Sequence, residues 1–246
     1  MNRFALITGG AGGVGSVTAR ALTDAGWTVA ITGRNHDTLK AAASDIGGDT
    51  LAVACDVADR DAVRGLFGTV VNEFGRLDLL FNNAGILADG TAFEDISGDH
   101  VIEVLATNVA GVFFCAQEAF RVMKSQSPQG GRIINNGSVS AQVPRPNSAL
   151  YGASKHAVTG ITKSLALDGR AFSIPCGQID IGNADTAMAT TQRQGILQAS
   201  GDVMVEPTID PMDVAQAVVY VAGLPLTTNV PFITVMATGM PWAGRG

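Results

Sequence analysis

A glycine-rich stretch near the amino terminus constrains the fold most strongly, because it separates two segments of different periodicity. The apolar run FALIT predicts a buried strand, and SVTARALTDAG has the spacing of an amphipathic helix. Between them lies TGGAGGVG at residues 8–15, where Gly10, Gly12 and Gly15 match the G-x-G-x-x-G pattern of a dinucleotide-binding turn. The free N–H groups and positive dipole end of the helix would hold a pyrophosphate there, and a plain tight turn is the alternative.

Short apolar runs alternate with longer helical patterns along the rest of the chain. Strands are predicted at FALIT, TVAIT, LAVAC, LDLLF, GRIIN, FSIP and VPFITVM, and helices at about 13–25, 37–46, 59–74, 99–124, 150–168 and 210–222. Helices of this length cross over between parallel strands in right-handed βαβ units. We therefore expect an α/β fold in one domain spanning residues 1–246, with a doubly wound sheet of about seven parallel strands and helices on both faces.

Composition and charge exclude several kinds of partner. Hydrophobic residues make up 46% of the chain, yet no uninterrupted apolar run reaches the roughly 18 residues of a membrane span, so we expect no membrane partner. A net charge of −6 argues against nucleic acid as a partner. The amino terminus, MNRFALITGG, enters a strand at once, which leaves no room for a secretory signal and predicts a cytoplasmic protein.

The cysteines and histidines are too widely spaced to suggest a metal site. Cys55, Cys115 and Cys176 are odd in number and far apart, so they are predicted to be buried free thiols. The histidines at positions 36, 100 and 156 have no partners at a metal-ligand spacing. We therefore expect neither a disulfide framework nor a bound metal.

Tyr151 and Lys155 stand four residues apart in YGASK, within the predicted helix 150–168. This spacing puts the phenol and the ammonium on one helix face, where the cation favours the phenolate. A free tyrosine, with a pKa of roughly 10, is a poor base at neutral pH, so a neighbouring cation makes it useful for proton transfer. The alternative is an ordinary surface pair, and the surrounding motifs argue against it.

The end of the second predicted strand bears on the choice of nucleotide cofactor. TVAIT is followed by Gly33 and Arg34, about twenty residues beyond the glycines, where a free ribose 2′-hydroxyl would call for an acidic residue. The guanidinium of Arg34 suits a 2′-phosphate instead, so we expect NADP(H) to be preferred, with NAD(H) as the alternative. Asp56, directly after LAVAC, is placed either to bind an adenine amino group or to cap a helix.

Together these motifs resemble those of the short-chain dehydrogenase/reductase family over almost the whole chain. The resemblance rests on TGGAGGVG, CDV at 55–57, NNAG at 82–85, Asn108 in TNVAG, Ser138 in NGSVSA, and YGASK. It implies a single Rossmann-type domain, a nicotinamide cofactor, and reversible hydride transfer between a carbonyl and a secondary alcohol. The long apolar patterns at 99–124 and 150–168 resemble the family's intersubunit helices, which implies a homodimer or homotetramer.

The resemblance implies a role for each matching residue. Tyr151 would be the acid/base that acts on the substrate oxygen, and Lys155 would hold the nicotinamide ribose and lower the tyrosine pKa. Ser138 would donate a hydrogen bond to the substrate oxygen, and Asn108 would anchor a water in a proton relay. The residues expected to contact the cofactor are Gly9, Gly12, Gly13, Val14, Gly15, Arg34, Asp56, Val57, Asn83, Ala84, Gly85, Tyr151, Lys155, Gly177 and Ile179.

The chain departs from the family pattern around its sixth strand. The family usually carries Asn-x-x-x-Pro-Gly-x-Ile-x-Thr, but Phe172, Cys176 and Ile181 occupy the Asn, Pro and Thr positions here. Without that threonine, another group must contact the nicotinamide carboxamide. The candidates are the backbone of Ile179 and the side chain of Thr186, while the glycine at position 177 keeps a close backbone approach possible.

The substrate pocket is predicted from three segments: the loop after NNAG, Ala141–Asn147, and a flap around 183–208. Few charged residues lie in these segments besides Asp89, Arg145, Asp185 and Arg193. Because they are few, the expected partner is a small-molecule carbonyl or alcohol that is largely apolar or neutral.

Other classes of protein fit the sequence less well. A non-catalytic NAD(P)-binding sensor on the same fold would keep the glycine turn and Arg34, but it would not need Ser138, Tyr151 and Lys155. A sugar-nucleotide epimerase or dehydratase would normally need a longer chain, and a methyltransferase has no use for the Ser/Tyr/Lys set. The primary prediction is therefore an NAD(P)-dependent oxidoreductase, with the sensor as its alternative.

Overall fold

The computed structural model describes residues 2–88, 90–186 and 195–242. Its main sheet consists of β1 (Arg3–Thr8), β2 (Trp27–Gly33), β3 (Leu51–Ala54), β4 (Leu79–Asn82), β5 (Arg132–Asn136), β6 (Cys176–Ile181) and β9 (Phe232–Val235). The order across this sheet is β3-β2-β1-β4-β5-β6-β9, and every neighbouring pair is parallel. A separate antiparallel hairpin joins β7 (Ile196–Leu197) to β8 (Val203–Met204). The predicted α/β class with seven parallel strands is confirmed.

The helices lie close to their predicted bounds. They are α1 (Gly13–Asp24), α2 (His36–Ile46), α3 (Arg60–Phe74), α4 (Gly98–Leu105), α5 (Val112–Ser125), α6 (Ala149–Asp168) and α7 (Pro211–Gly223). The side chains of Asn35, Asp59 and Asp210 cap α2, α3 and α7 by accepting backbone N–H groups. The predicted helix 99–124 is divided, because a π-helical segment, Ala106–Gly111, separates α4 from α5.

Helices pack on both faces of the sheet. In β1 the side chains of Ala5 and Ile7 join the core cluster that includes α1, α2 and α7, whereas Leu6 joins the cluster that includes α3 and α5. Successive side chains of a strand point to opposite faces, so β1 contributes to both layers. A strand buried on both faces reads as a continuous apolar run, which is why FALIT identifies it.

The order of the strands creates a crevice at one edge of the sheet. The chain winds outward from β1 through β2 to β3, and then returns to place β4 on the other side of β1. The connections after β1 and β4 therefore run in opposite directions across the sheet. Ligands of open α/β sheets bind at such a reversal, beside the carboxyl ends of the strands.

The sixth strand begins later than the sequence predicts. The apolar run FSIP predicts it at residues 172–175, but Arg170–Phe172 form a 3-10 turn and Ser173 has a left-handed φ of 55°. The strand itself is Cys176–Ile181, and all six of its residues are buried. Gln178 and Asp180 interrupt its apolar pattern, so hydrophobicity alone does not reveal it.

One helical run among the described residues, Gly98–Ser125, is long and apolar enough to cross a membrane by length and composition. Its α5 portion buries Cys115, Ala119 and Met123 in the same cluster as Leu80 of β4 and Ile133 of β5. It is therefore a core helix that packs on the sheet.

The predicted flap around 183–208 is described only in part, since residues 187–194 lie outside the described residues. Its described portion contains the β7–β8 hairpin and a bridge that pairs Ala184 with Ile209. Two of the predicted pocket residues, Asp89 and Arg193, also lie outside the described residues. That residues 1–246 form a single domain stays a prediction.

Candidate active site

The turn between β1 and α1 depends on glycine at several positions. Gly9 and Gly13 have φ values of 64° and 55°, in the left-handed region that glycine adopts without strain. A Cβ on Gly15 would lie 2.2 Å from the carbonyl oxygen of Gly9, so a larger residue does not fit. Gly12 provides no side-chain cap for α1, which leaves N–H groups of the first helical turn for an anion. These features fit the pyrophosphate of a dinucleotide.

The residues after β4 hold the glycine turn in place. The Asn83 side-chain amide donates to the carbonyl oxygens of Thr8, at 2.9 Å, and Gly9, at 3.2 Å. The backbone N–H groups of Asn83 and Ala84 both donate to the Thr8 hydroxyl at 2.9 Å. Asn83 Oδ1 accepts from Asn136 Nδ2 at 2.9 Å, which extends the network to β5. NNAG therefore joins the carboxyl ends of three strands.

A cleft of about 370 Å³ lies between the glycine turn and α6. It is lined by residues of the turn, by residues 83–87, and by Asn136, Tyr151, Lys155 and Thr186. Thr186, a candidate carboxamide contact, lies near Gly13, since a Cβ on that glycine would be 3.6 Å from the Thr186 side chain. Most of the predicted cofactor residues are therefore brought together with the predicted Tyr/Lys pair.

Lys155 is buried against the end of β5. Its side chain is 6% exposed, and Nζ donates to the carbonyl oxygen of Asn136 at 2.8 Å. Nζ also lies 5.6 Å from the centre of the Tyr151 ring. Burial lowers the pKa of Lys155 from its ordinary 10.5 to about 8, although the carboxylate of Asp180 acts in the opposite direction. The predicted placement of the two groups on one helix face fits this geometry.

Ser138 lies in a smaller pocket of about 120 Å³, which also contains Tyr151 and Arg145. The Ser138 hydroxyl accepts a hydrogen bond from the backbone N–H of Ser140 at 3.1 Å. Because that bond uses a lone pair of the hydroxyl oxygen, the hydroxyl proton can still be donated to a ligand. Tyr151 lines both cavities, so a substrate oxygen between the phenol and this hydroxyl would lie beside the larger cleft.

Asn108 lies in the π-helical segment and is 1% exposed. Its Oδ1 accepts from the backbone N–H of Ile86 at 2.8 Å, and its Nδ2 donates to the carbonyl oxygen of Ile86 at 2.9 Å. Nδ2 also donates to Ser154 Oγ at 3.2 Å. The side chain therefore fixes the chain after NNAG. Its role in holding a relay water stays a prediction.

The predicted adenosine contacts lie at the ends of β2 and β3. Arg34 is exposed directly after β2. Asp56 is exposed after β3, where its Oδ1 accepts from the backbone N–H of Ala58 at 3.0 Å, while Asp59 is the cap of α3. Val57 is buried against the π-helical segment, since a Cβ on Gly111 would be 2.8 Å from its side chain.

Gly177 and Ile179 are placed inside β6, and neither lines the two cavities described above. A Cβ on Gly177 would lie 2.3 Å from the carbonyl oxygen of Val230, so packing against the chain before β9 accounts for this glycine. Ile179 belongs to the core cluster shared with α1 and α7. Of the two candidate carboxamide contacts, only Thr186 lines the cleft.

Arg145 forms a buried polar cluster with three residues around the flap. Its Nη2 donates to Asn183 Oδ1 at 2.9 Å and forms an ion pair with Glu206, whose side chain is fully buried. Asn183 and Gln198 also donate to the Glu206 carboxylate. Burial raises the pKa of Glu206, but these hydrogen bonds and the Arg145 charge lower it more strongly, so the net shift is downward. The Arg145 charge in the pocket is therefore compensated.

The sequence analysis does not identify Asn136, which lines the cleft, Asp180, which bonds Ser138, or Glu206, which pairs with Arg145. The repeated Asn-Asn pairs at 82–83 and 135–136 are a signal for the first, because both pairs end neighbouring parallel strands. Glu206 and Asp180 have partners far away in the chain, and no local pattern identifies them. Among the described residues, no group of three His, Cys, Asp or Glu side chains is arranged to hold a metal.

Comparison with known proteins agrees with this geometry. The family model of short chain dehydrogenases matches residues 3–196. A 3beta-hydroxysteroid dehydrogenase of Mediterraneibacter gnavus is 33% identical over 214 residues, which cover 86% of this chain and 76% of that protein.

Two solved structures are similar over nearly their full length. A 3-ketoacyl-(acyl-carrier-protein) reductase from Brucella melitensis, complexed with NADH, has a TM-score of 0.84 at 27% identity, covering 95% of this chain and 96% of that one. A short chain dehydrogenase from Burkholderia cenocepacia, in complex with NADP, has a TM-score of 0.81 at 32% identity, covering 95% and 96%. The chain therefore belongs to the short-chain dehydrogenase/reductase family and is an NAD(P)-dependent oxidoreductase.

Proposed function

We propose that this protein transfers a hydride between a nicotinamide cofactor and a carbonyl or secondary alcohol, with Tyr151 as the acid/base. The observation that carries this proposal is the pairing of Tyr151 and Lys155 on α6, with Nζ 5.6 Å from the phenol ring, in the cleft that the glycine turn also lines. The cofactor, when bound, supplies or accepts the hydride. The protein's own residues bind the substrate and move one proton.

In the direction of reduction, Tyr151 gives its phenolic proton to the carbonyl oxygen, and in oxidation its phenolate takes the proton of the alcohol. The Lys155 ammonium favours the phenolate and holds the ribose hydroxyls of the cofactor. The Ser138 hydroxyl donates to the substrate oxygen, where negative charge develops during reduction. Asn108 keeps Ile86 in position, and a water held there carries the proton between Tyr151 and solvent, inward after reduction and outward after oxidation.

We propose NADP(H) as the preferred cofactor, with NAD(H) as the alternative. The support is the exposed Arg34 directly after β2, where no acidic residue is present to bind a free ribose 2′-hydroxyl. Asp56 and Val57, at the end of the neighbouring strand, would contact the adenine. The two related structures contain NADH in one case and NADP in the other, so relationship alone does not decide the preference.

The proposed substrate is largely apolar or neutral. Among the described residues, Arg145 is the cation that lines the smaller pocket, and its ion pair with Glu206 leaves it little net charge for a substrate anion. The related proteins act on different molecules, as their names, a 3beta-hydroxysteroid dehydrogenase and a 3-ketoacyl-(acyl-carrier-protein) reductase, indicate. The identity of the substrate therefore has to come from an assay.

We further propose a cytoplasmic homodimer or homotetramer. Support comes from apolar side chains that α4, α5 and α6 leave exposed: Ile102 is 68% exposed, Phe113 51% and Leu167 58%. Large apolar side chains exposed on several helices are typical of a surface that another subunit covers. Light scattering at low protein concentration tests the assembly, and a monomer under those conditions would refute it.

The catalytic assignment is tested by incubating the purified protein with NADPH or NADH and a panel of neutral carbonyl compounds, while the loss of reduced cofactor is followed. Tyr151→Phe should bind the cofactor as the wild type does but lose activity by roughly 100-fold or more, because the proton donor is gone. The chain offers a matched control in Tyr220→Phe, which changes the second of its two tyrosines, 59% exposed on α7. Full activity in Tyr151→Phe would refute the assignment. Cofactor binding without turnover of any compound would favour the sensor.

A further inference from the structure

The carboxylate of Asp180 is buried beside the active site and has no part in the mechanism above. The residue lies on β6 and is 1% exposed. Its Oδ1 accepts from the backbone N–H of Ser138 at 3.2 Å and from Gln178 Nε2 at 2.7 Å. Its Oδ2 accepts from Gln142 Nε2 at 3.0 Å. One carboxylate therefore ties β6 to both ends of the turn that carries Ser138.

The backbone beside Ser138 is shaped to admit this carboxylate. A Cβ on Gly137 would lie 2.1 Å from Asp180 Oδ1, a distance at which the carboxylate would have to move away. The Gly137 N–H donates to the carbonyl oxygen of Ile179 at 2.8 Å, which extends the β5–β6 pairing by one residue. The glycine and the aspartate therefore form a single local arrangement, in which Oδ1 takes the place of a side chain at position 137.

This arrangement determines where the Ser138 hydroxyl lies. The turn after Ser138, Val139–Ala141, is closed by the Ser138 hydroxyl itself, which accepts from the Ser140 N–H. The start of that turn is held by Asp180 at the Ser138 N–H, and the side chain of Gln142, just beyond its end, is held by Oδ2. Without Asp180 the turn keeps its internal bond but loses its attachment to the sheet.

Asp180 also lies near the ammonium of Lys155. Nζ donates to the carbonyl oxygen of Asn136, and Asp180 Oδ1 lies against the adjacent Gly137. Among the described residues, the titratable side chains that act on this ammonium are Tyr151 on its own helix and Asp180 on β6. Arg145 belongs to the neighbouring pocket, where Glu206 compensates its charge, and the segments after β1 and β4 contribute glycines, amides and apolar groups to the cleft. Among the described residues that line these cavities or support them, Asp180 is therefore the carboxylate that favours the charged form of Lys155.

We propose that Asp180 is a positioning residue of this active site, which fixes the turn that carries Ser138 and supplies a negative charge near the buried ammonium of Lys155. The inference rests on the proposed function, since positioning matters only if Ser138 and Lys155 act on a substrate. A positioning residue of this kind differs from a purely structural tether in two ways. Its effect on turnover depends on the presence of Ser138, and its charge affects the protonation of Lys155.

Two substitutions separate these couplings. Asp180→Asn keeps the shape and an acceptor for the Ser138 N–H, while the exposed Gln142 amide can turn to suit the new side chain, so this variant removes mainly the charge. Asp180→Ala removes the charge and the attachment of the turn. The matched control is Asp78→Asn, which alters a carboxylate that accepts the backbone N–H of Phe4 at 3.0 Å, at the amino end of β4 and away from the cleft.

The effect of the Asp180 charge on Lys155 can be measured without any substrate. The chain has only four lysines, Lys40, Lys124, Lys155 and Lys163, so NMR of protein labelled at lysine side chains gives few signals to assign. In Asp180→Asn the titration of the Lys155 signal should move to lower pH than in the wild type, whereas Asp78→Asn should leave it in place. An unmoved Lys155 titration in Asp180→Asn would overturn the electrostatic part of the proposal.

The positioning is tested by a double-mutant cycle on turnover. The cycle starts from Asp180→Asn, so that the charge near Lys155 is absent from every member. Relative to that variant, Asp180→Ala and the combination of Asp180→Asn with Ser138→Ala should each lower kcat by roughly 10-fold to 100-fold. Asp180→Ala combined with Ser138→Ala should lose little more than either, because the attachment of the turn acts through Ser138. The KM for the cofactor should change less than kcat does. Losses that multiply in the double variant would overturn the positioning part. If the wild type turned over no carbonyl compound or alcohol, the proposed function would fail, while the Lys155 titration would still decide whether Asp180 acts on that ammonium.

Discussion

The burial of Lys155 makes a quantitative prediction about stability and pH. In the folded protein burial lowers the pKa of this lysine to about 8, from an ordinary value of 10.5. Each pKa unit corresponds to about 1.4 kcal/mol, so keeping the charged amine in its folded site costs about 3 kcal/mol. The charged amine is needed in spite of this cost, because an uncharged side chain could not favour the phenolate of Tyr151.

The direction in which stability changes with pH follows from the number of protons bound at Lys155 in the folded and unfolded chain. Between about pH 8 and pH 10.5 the unfolded chain binds more protons at this lysine than the folded chain does. The free energy of unfolding therefore rises with pH over that window, and below about pH 8 the cost of burial is fully present. From pH 7 to about pH 9.5 the relief at this one site amounts to about 2 kcal/mol.

Urea unfolding of the wild type and Lys155→Met at the two pH values measures this effect. Methionine has a similar length and does not titrate, so the dependence on pH that distinguishes the wild type from Lys155→Met comes from the titration of Lys155. The stability of the wild type relative to Lys155→Met should therefore rise by about 2 kcal/mol from pH 7 to about pH 9.5. Lys163→Met, which removes an exposed ammonium from the same helix, is the control for losing a lysine as such. A relative stability that does not change with pH would refute the reasoning.

Three further predictions address the cofactor and the pocket. Arg34→Ala should raise the KM for NADPH by roughly 10-fold and have little effect on the KM for NADH, which initial rates would measure. Equal use of both cofactors by the wild type would contradict the proposed preference for NADP(H). Gly15→Ala should unfold at lower temperature, because its Cβ would lie 2.2 Å from a backbone oxygen, whereas Gly12→Ala, with nothing within 4 Å, should melt like the wild type. Glu206→Gln should cost roughly 3 kcal/mol in urea unfolding at pH 7, because it leaves the Arg145 charge uncompensated. Because the pKa of Glu206 is lowered in the folded protein, the two proteins should become more similar in their free energy of unfolding as acid protonates the glutamate. A difference that persists in acid would contradict the stabilising role of the ion pair between Glu206 and Arg145.

The helices and the first strand could be predicted because their signals are local. The caps of α2 and α3, the apolar run of β1 and the glycine turn all lie within a few residues of the structure they specify. The sixth strand could not be placed in the same way. Its segment CGQIDI is buried throughout, but Gln178 and Asp180 break the apolar run, and the more hydrophobic FSIP takes its place in the pattern.

In the candidate site, too, residues close together in the chain could be predicted and distant partners could not. Tyr151 and Lys155 could be predicted together because one helical turn brings them onto the same face. The ion pair of Arg145 and Glu206 joins residues 61 positions apart, and a sequence pattern holds no information about which of many acidic residues will be the partner. The division of the long helix at Asn108 was not predicted. Thr107, Asn108 and Gly111 are weak helix formers, but their presence does not indicate that the helix takes a π-helical form there.

The polar residues of the central strands nevertheless follow a rule that the sequence could have supplied. Thr8 ends β1, Asn82 ends β4, Asn135 lies one residue from the end of β5, and Asp180 lies one residue from the end of β6, while the earlier residues of β1 and β4 are largely apolar. Buried polar groups need partners. Asn82 Nδ2 donates to Asn135 Oδ1 at 3.0 Å, and Asp180 accepts from the backbone N–H of Ser138. A parallel sheet aligns the carboxyl ends of its strands, so polar side chains that interrupt separate apolar runs come together at one edge. In β6 two residues interrupt the run, and one of them, Asp180, is the residue that supports the Ser138 turn.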